Sequence, residues 1–330
     1  MKKYDSSGLY TIYDNWPEIA RESYKGELEQ VDFTGVKHIV FAGMGGSGTL
    51  SDLFSSILSK TSIHVSVVKG YVLPKTIDPS TLVINTSVSG NTVETLNVLD
   101  QANKAGAMIV AFSSGGKMEN YCIKNKIEYR KIPMFHSPRA SLTSFLYSML
   151  NVLEPILPTK KKDVNESINN LKKLRQEISS ERLDDTNTAL CIANWINCIP
   201  LIYYPWGLQA AAIRFKNSLQ ENVKSHAITE DVTEACHNGI VSWEKSSPVK
   251  PILLEGKDDY TKTKERWNIL KEYFKLNNID FKEIHSISGN ILSKLIHLIY
   301  LLDYSTIYLA VKNGIDPTPI KSIDFIKSKL

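Results

Sequence analysis

The 330-residue chain is short of the features that mark several large classes of protein. It has four cysteines, Cys122, Cys191, Cys198 and Cys236, and no CxxC pair among them. That argues against a disulfide framework or a zinc ribbon, and fits a reduced, cytoplasmic chain whose thiols serve as small buried hydrophobes. Cys236 and His237 are adjacent, but no second ligand pair accompanies them, so no metal site is expected. No apolar run reaches the ~18 residues that suggest a membrane span. The basic start Met1-Lys2-Lys3 has no apolar stretch behind it to make a signal peptide. Charge is nearly balanced, 39 basic against 35 acidic residues for a net +4. The short run Lys160-Lys161-Lys162 falls in a linker-like segment and reads as solvated surface. Neither nucleic acid nor a membrane is therefore an expected partner.

What the sequence does have is alternation. Short β-branched runs at 38–43, 62–68, 81–87, 107–112 and 127–132 are separated by helical patterns at 49–58, 92–105 and 117–126. Strand and helix in regular succession predict a parallel sheet covered on both faces, an α/β fold. A longer helix is expected from near Pro138 to about Glu154, followed by a proline- and lysine-rich boundary over 155–163. The second half repeats the theme less regularly. Helices are expected at 164–181, 186–197, 208–223, 261–276 and 291–313, strands at 199–204, 251–255 and 281–287, and a short helix at the end. The chain thus reads as two related domains, 1–155 and 156–330, without a repeat visible in the residues themselves.

Two loops carry the chemistry. Gly43-Met44-Gly45-Gly46-Ser47-Gly48 follows the first strand and opens the first helix. Glycines let the backbone close on a ligand, and the free N–H groups of a helix start favour an anion. The spacing of Gly43, Gly45 and Gly48 matches GxGxxG, yet a dinucleotide fold wants an acidic residue about 20 positions on. Val67-Val68-Lys69-Gly70-Tyr71 supplies none, which leaves open only a 2′-phosphorylated cofactor beside Lys69 or a purely structural turn.

The second loop is Ser87-Val88-Ser89-Gly90-Asn91-Thr92-Val93-Glu94-Thr95, after the third strand. Ser87, Ser89 and Thr92 gather three hydroxyls around a glycine at another helix N-terminus, a setting that holds a phosphate dianion with neutral donors. A capping box needs one hydroxyl, and a nucleotide P-loop needs Gly-Lys-Ser/Thr, which is absent. The reading is a phosphomonoester site.

These two loops together resemble the sugar isomerase (SIS) domain. Combined with Ser137-Pro138-Arg139-Ala140, Glu221-Asn222 and His237-Asn238, nearly the whole chain resembles the bifunctional phosphoglucose/phosphomannose isomerases of archaea and some bacteria. The resemblance implies two SIS-type three-layer αβα domains with mainly parallel sheets. It implies phosphate binding by Gly45, Gly46, Ser47, Ser87, Ser89 and Thr92. Glu221 would be the base that moves a proton between C1 and C2, with Glu234 as second choice, and Arg139 would stabilise the enediolate. His237, reaching the site of a neighbouring subunit, and a C-terminal lysine, Lys327 before Lys321, would open the sugar ring. A hexose 6-phosphate substrate, a homodimer and the lack of any metal or organic cofactor are also implied.

Two departures bear on substrate preference. The stretch 229–234 is more acidic than a phosphosugar site suggests, and Gly239 stands where the family often has a larger polar residue. Two readings from other classes compete. A SIS-type sugar-phosphate regulator would not need Glu221, Arg139 and His237 together, and it usually carries a DNA-binding region that this sequence does not display. An NADP-dependent oxidoreductase rests on the glycine spacing alone.

Overall fold

The computed structural model describes residues 1–329. Two helices open the chain, α1 (Leu9–Asp14) and α2 (Trp16–Lys25), neither of which the sequence pattern predicts. There follow β1 (His38–Ala42), α3 (Gly45–Leu58), β2 (His64–Val68), β3 (Thr81–Ser87), α4 (Val93–Lys104), β4 (Met108–Ser113), α5 (Gly116–Asn125), β5 (Glu128–Lys131) and α6 (Leu142–Val152). After α7 (Lys161–Ile178) come α8 (Thr188–Trp195), β6 (Ile199–Tyr204), α9 (Gln209–Ser218), β7 (Ile228–Asp231), α10 (Val232–Ala235), β8 (Val249–Glu255), α11 (Thr261–Leu276), β9 (Lys282–His285), α12 (Ile291–Lys312) and α13 (Lys321–Lys327). The chain divides into two compact units, residues 15–169 and residues 1–14 with 170–330.

In the unit 15–169, five parallel strands run in the order β2-β1-β3-β4-β5. Every residue of β3 is buried, as a central strand covered on both faces requires. Side chains alternate between the faces. Val40 and Ala42 join Val98, Leu99, Met118 and Cys122 under α4 and α5, while Phe41 stacks on Phe54 of α3 with ring centroids 5.1 Å apart. Because β2 and β3 lie on opposite sides of β1, the loops leaving β1 and β3 flank a topological switch point, where open α/β sheets place ligands.

The expected helix start near Pro138 is corrected to Leu142. The Ser141 hydroxyl accepts from the Phe135 N–H (2.8 Å) and donates to the Ser137 carbonyl (2.9 Å). With His136 at φ 58°, this closes a turn in place of the first helical residues.

The second unit repeats the winding with four parallel strands, β7-β6-β8-β9. One face is packed by Tyr203, Leu253, Val232, Trp243, Trp267 and Phe274, and the Trp243 indole N–H donates to the Tyr203 hydroxyl at 2.9 Å. α12 is the one described helix long and apolar enough to cross a membrane, at 22 residues and mean hydropathy 1.2. Of its apolar window, 83% is buried inside the protein, and its Asp303 and Thr306 make buried polar bonds, as a core helix does.

Candidate active site

In the unit 15–169 the glycine and serine loops are tied to each other. The Ser47 hydroxyl oxygen accepts from the Val88 N–H at 3.1 Å, so the start of α3 and the loop after β3 form one surface. Gly46 lies under the turn that carries Arg139. A Cβ there would stand 3.4 Å from the Pro138 carbonyl oxygen and 3.6 Å from the Arg139 Cα. Arg139 itself is buried. Gly45 adopts φ 54° and opens on empty space, leaving its backbone accessible to a ligand.

The serine loop is folded on its own hydroxyls. Ser87 Oγ donates to Thr92 Oγ1 (3.0 Å) and accepts from the Gly90 N–H (3.1 Å), and Ser89 Oγ accepts from the Asn91 N–H (3.3 Å). Gly90, at φ 68°, packs so tightly on the Gly115 carbonyl that any Cβ would collide with it. Thr92 occupies the N-cap of α4 with extended backbone but makes no side-chain capping bond, and neither does Met44 at the start of α3. The capping-box alternative is therefore not realised at Thr92. Two helix starts present amide donors and positive dipole ends beside the hydroxyl cluster, which is the environment a phosphate needs. Gly45, Gly46, Ser47, Ser87, Ser89, Thr92 and Arg139 thus gather at the β1/β3 switch point.

In the second unit Glu221 lies on a five-residue π-turn, Leu219–Val223, that extends α9. Such turns concentrate at functional positions because the extra residue re-aims side chains. Asn222, next to it, is buried and donates to Thr306 Oγ1 at 2.8 Å. Lys224 Nζ donates to the Glu221 carbonyl and, at 3.2 Å, to the Pro317 carbonyl. Two turns before Glu221, Arg214 pairs with Asp303 at 2.7 Å, the two side chains being 3% and 0% exposed. Burial opposes the Arg214 charge, but Asp303 foremost, with Tyr13 and Glu221 adding, outweighs it and holds the guanidinium above its ordinary pKa.

His237 follows α10 and is exposed. Its N–H donates to the Glu234 carbonyl (2.8 Å), Asn238 donates to the Glu234 carboxylate (2.7 Å), and Asp231 caps α10 through the Thr233 and Glu234 N–H groups. Glu230 lies against Gly239, where a side chain at 239 would collide with its carboxylate. The unexpected acidic run is thereby accounted for as loop scaffolding. Burial first, then the Glu234 charge, raise the Glu230 pKa. Lys321 and Lys327 both lie on α13, every residue of which is exposed, so the geometry does not choose between them. Arg214, Lys224, Asp303 and Thr306 were missed by sequence reasoning. The available signal was the polar spacing of Arg214, Ser218 and Asn222 along an otherwise apolar helix face.

Two other features stand apart from these residues. A cavity of about 320 Å³ in the second unit is lined by Leu174, Ile192, Ile284, His297 and Leu301 among others, and by none of the candidate catalytic or phosphate-binding residues. Glu255, Glu283 and His285 cluster closely enough for a cation, but the Lys271 ammonium sits among the carboxylates, 3.1 Å from Glu255 and from Glu283.

Comparison with known proteins identifies the family. Residues 185–330 match the family described as the bacterial phospho-glucose isomerase C-terminal SIS domain. The chain is 34% identical to the bifunctional phosphoglucose/phosphomannose isomerase of Caldicellulosiruptor bescii, over 96% of this chain and 97% of that protein. It is 29% identical to the protein of the same name from Aquifex aeolicus, over 98% and 96%. Among solved structures, a hypothetical protein from Thermus thermophilus superposes with a TM-score of 0.74 at 14% identity, covering 97% of this chain and 89% of the other. Tagatose-6-phosphate ketose/aldose isomerase from Escherichia coli superposes with a TM-score of 0.69 at 14% identity, covering 95% of each chain. The α/β fold with parallel sheets is thus shared with phosphosugar isomerases, and at 34% identity over almost its full length the chain belongs to the bifunctional phosphoglucose/phosphomannose isomerase family.

Proposed function

We propose that this chain interconverts glucose 6-phosphate and mannose 6-phosphate with fructose 6-phosphate, without metal or organic cofactor, through a cis-enediolate. The observation that carries the reading is the anion cradle at the β1/β3 switch point. Ser87, Ser89 and Thr92 surround the uncapped start of α4, and Arg139 lies against Gly46. The phosphate binds there through hydroxyl and amide donors. Glu221 takes the C2 proton of the open-chain aldose and returns it to C1, while a proton passes from O2 to O1. Arg139 stabilises the negative charge that develops on oxygen. C2 becomes planar in the enediolate, so glucose and mannose, which differ only at C2, share one intermediate. His237 and a lysine of α13, Lys327 ahead of Lys321, move the protons that open the ring.

The active form is a homodimer in which His237 serves the partner's site. α9 runs back along the sheet, so Glu221 lies near the edge where β7 begins, whereas His237 follows the edge where β7 ends. At ~1.5 Å per helical residue, the 12 steps from Gln209 to Glu221 carry the base roughly 18 Å from the far edge. The proposed base and its ring-opening partner thus flank opposite ends of β7, which supports a site completed by a second copy. Four free cysteines suit a cytoplasmic setting.

Mixing Glu221→Gln with His237→Ala, each impaired on the cyclic sugar, tests this arrangement. Restoration of a substantial fraction of activity in mixed dimers is expected, since one of the two sites regains both groups. No restoration, with mixed dimers demonstrated, would place both residues in one subunit's site.

A further inference from the structure

We propose that Asp303 and Thr306 of α12 are positioning residues for Glu221, acting through a polar ladder to α9 and its π-turn. The proposal rests on Glu221 as the base. Arg214, Ser218 and Asn222 are spaced by four, and each reaches the same stripe of α12. Arg214 Nε lies 2.9 Å and its terminal nitrogen 2.7 Å from Asp303 Oδ2. Ser218 Oγ donates to Asp303 Oδ1 at 2.6 Å, and Asn222 Nδ2 donates to Thr306 Oγ1 at 2.8 Å. Thr306 Oγ1 in turn donates to the Asp303 carbonyl at 2.7 Å, linking the two acceptors. Tyr13 of α1 donates to Asp303 Oδ2 at 3.1 Å.

An ideal helix turns about 100° per residue, so a spacing of four drifts ~40° at each step and swings the third side chain away from its partner. The π-turn over Leu219–Val223 takes up an extra residue where that drift accumulates. Asn222 thus keeps its bond to Thr306, and the peptide that joins it to Glu221 is held in place. Asn222 is buried while its neighbour Glu221 is partly exposed, so the rung fixes the backbone and leaves the carboxylate to the substrate. A base acts only within a narrow distance of the proton it abstracts, and an error of about 1 Å costs roughly a hundredfold. The ladder sets that distance.

The test compares Thr306→Val, which keeps the shape and removes the hydroxyl, with Thr306→Ser, which keeps the hydroxyl. Each is assayed well below its unfolding temperature. For Thr306→Val we expect kcat to fall about 10- to 100-fold with KM changed less than ~3-fold, and Thr306→Ser to recover most of the loss. Ser218→Ala, which removes only the bond to Asp303, should reproduce the kcat effect and serves should Thr306→Val fail to fold. A kcat within ~2-fold of wild type in both variants, alongside a lowered unfolding temperature, would make the ladder purely structural and overturn the proposal. Full activity in Glu221→Gln is a separate outcome that removes the base itself, and with it the ladder's role.

Discussion

Glu221 precedes strand β7 and His237 follows it, so the two residues flank opposite ends of one edge strand of the second sheet. They are the groups proposed for proton transfer at C2 and for ring opening. They are expected to fail at different steps. Glu221→Gln should stop the wash-out of deuterium from C2 of glucose 6-phosphate, with kcat down by about 10²- to 10⁴-fold. Phosphosugar binding should persist. His237→Ala should slow turnover of the cyclic sugar while leaving C2 exchange measurable on substrate that has already opened. Undiminished wash-out in Glu221→Gln would move the base to Glu234 or elsewhere.

The hydroxyl loop is expected to act on binding more than on chemistry. Each hydrogen bond from Ser89 or Thr92 to a charged phosphate is worth about 1.5–3 kcal/mol. Ser89→Ala combined with Thr92→Ala should therefore raise KM at least about tenfold per hydroxyl and change kcat far less. An unchanged KM would remove the phosphate from this loop.

Gly90 and Gly106 provide a matched pair, at φ 68° and 69°. A Cβ at Gly90 collides with the Gly115 carbonyl, whereas one at Gly106 meets nothing within 4 Å. Both Ala substitutions carry the left-handed strain of about 1–2 kcal/mol. Only Gly90→Ala should also abolish the thermal stabilisation that inorganic phosphate gives. Equal responses to phosphate in the two variants would contradict the assignment.

His297 gives the second unit a pH dependence. Burial against the cavity lowers its pKa from 6.5 to about 4. A histidine depressed on folding contributes stability that is full above its unfolded value and is lost as pH falls through the folded one. At ~1.4 kcal/mol per pH unit, about 3 kcal/mol should disappear between pH 6.5 and 4. His297→Gln should flatten that part of the stability profile, as read by urea unfolding at several pH values.

How much of this was legible in the sequence varied with how local the cause was. The glycine and serine loops were legible because their geometry is written in adjacent residues. Gly90 needs positive φ, and Ser87 reaches only three and five positions along. The core strands were legible for the same reason, since four of the seven residues of β3 (Thr81, Val83, Ile84 and Thr86) are β-branched. The start of α6 was not, because the Ser141 hydroxyl competes for the turn that Pro138 suggested. Short β7 and α10 were hidden by the acidic run, whose residues cap and brace a loop instead of lining a surface. The Arg214–Asp303 pair spans 89 positions, and nothing within either helix names its partner.

The most direct test of the account is a coupled assay, in EDTA, of fructose 6-phosphate formed from glucose 6-phosphate and from mannose 6-phosphate. Product is expected from both substrates, with both activities lost together in Glu221→Gln. Activity on one substrate alone would contradict the dual specificity, and none on either would contradict the isomerase assignment itself.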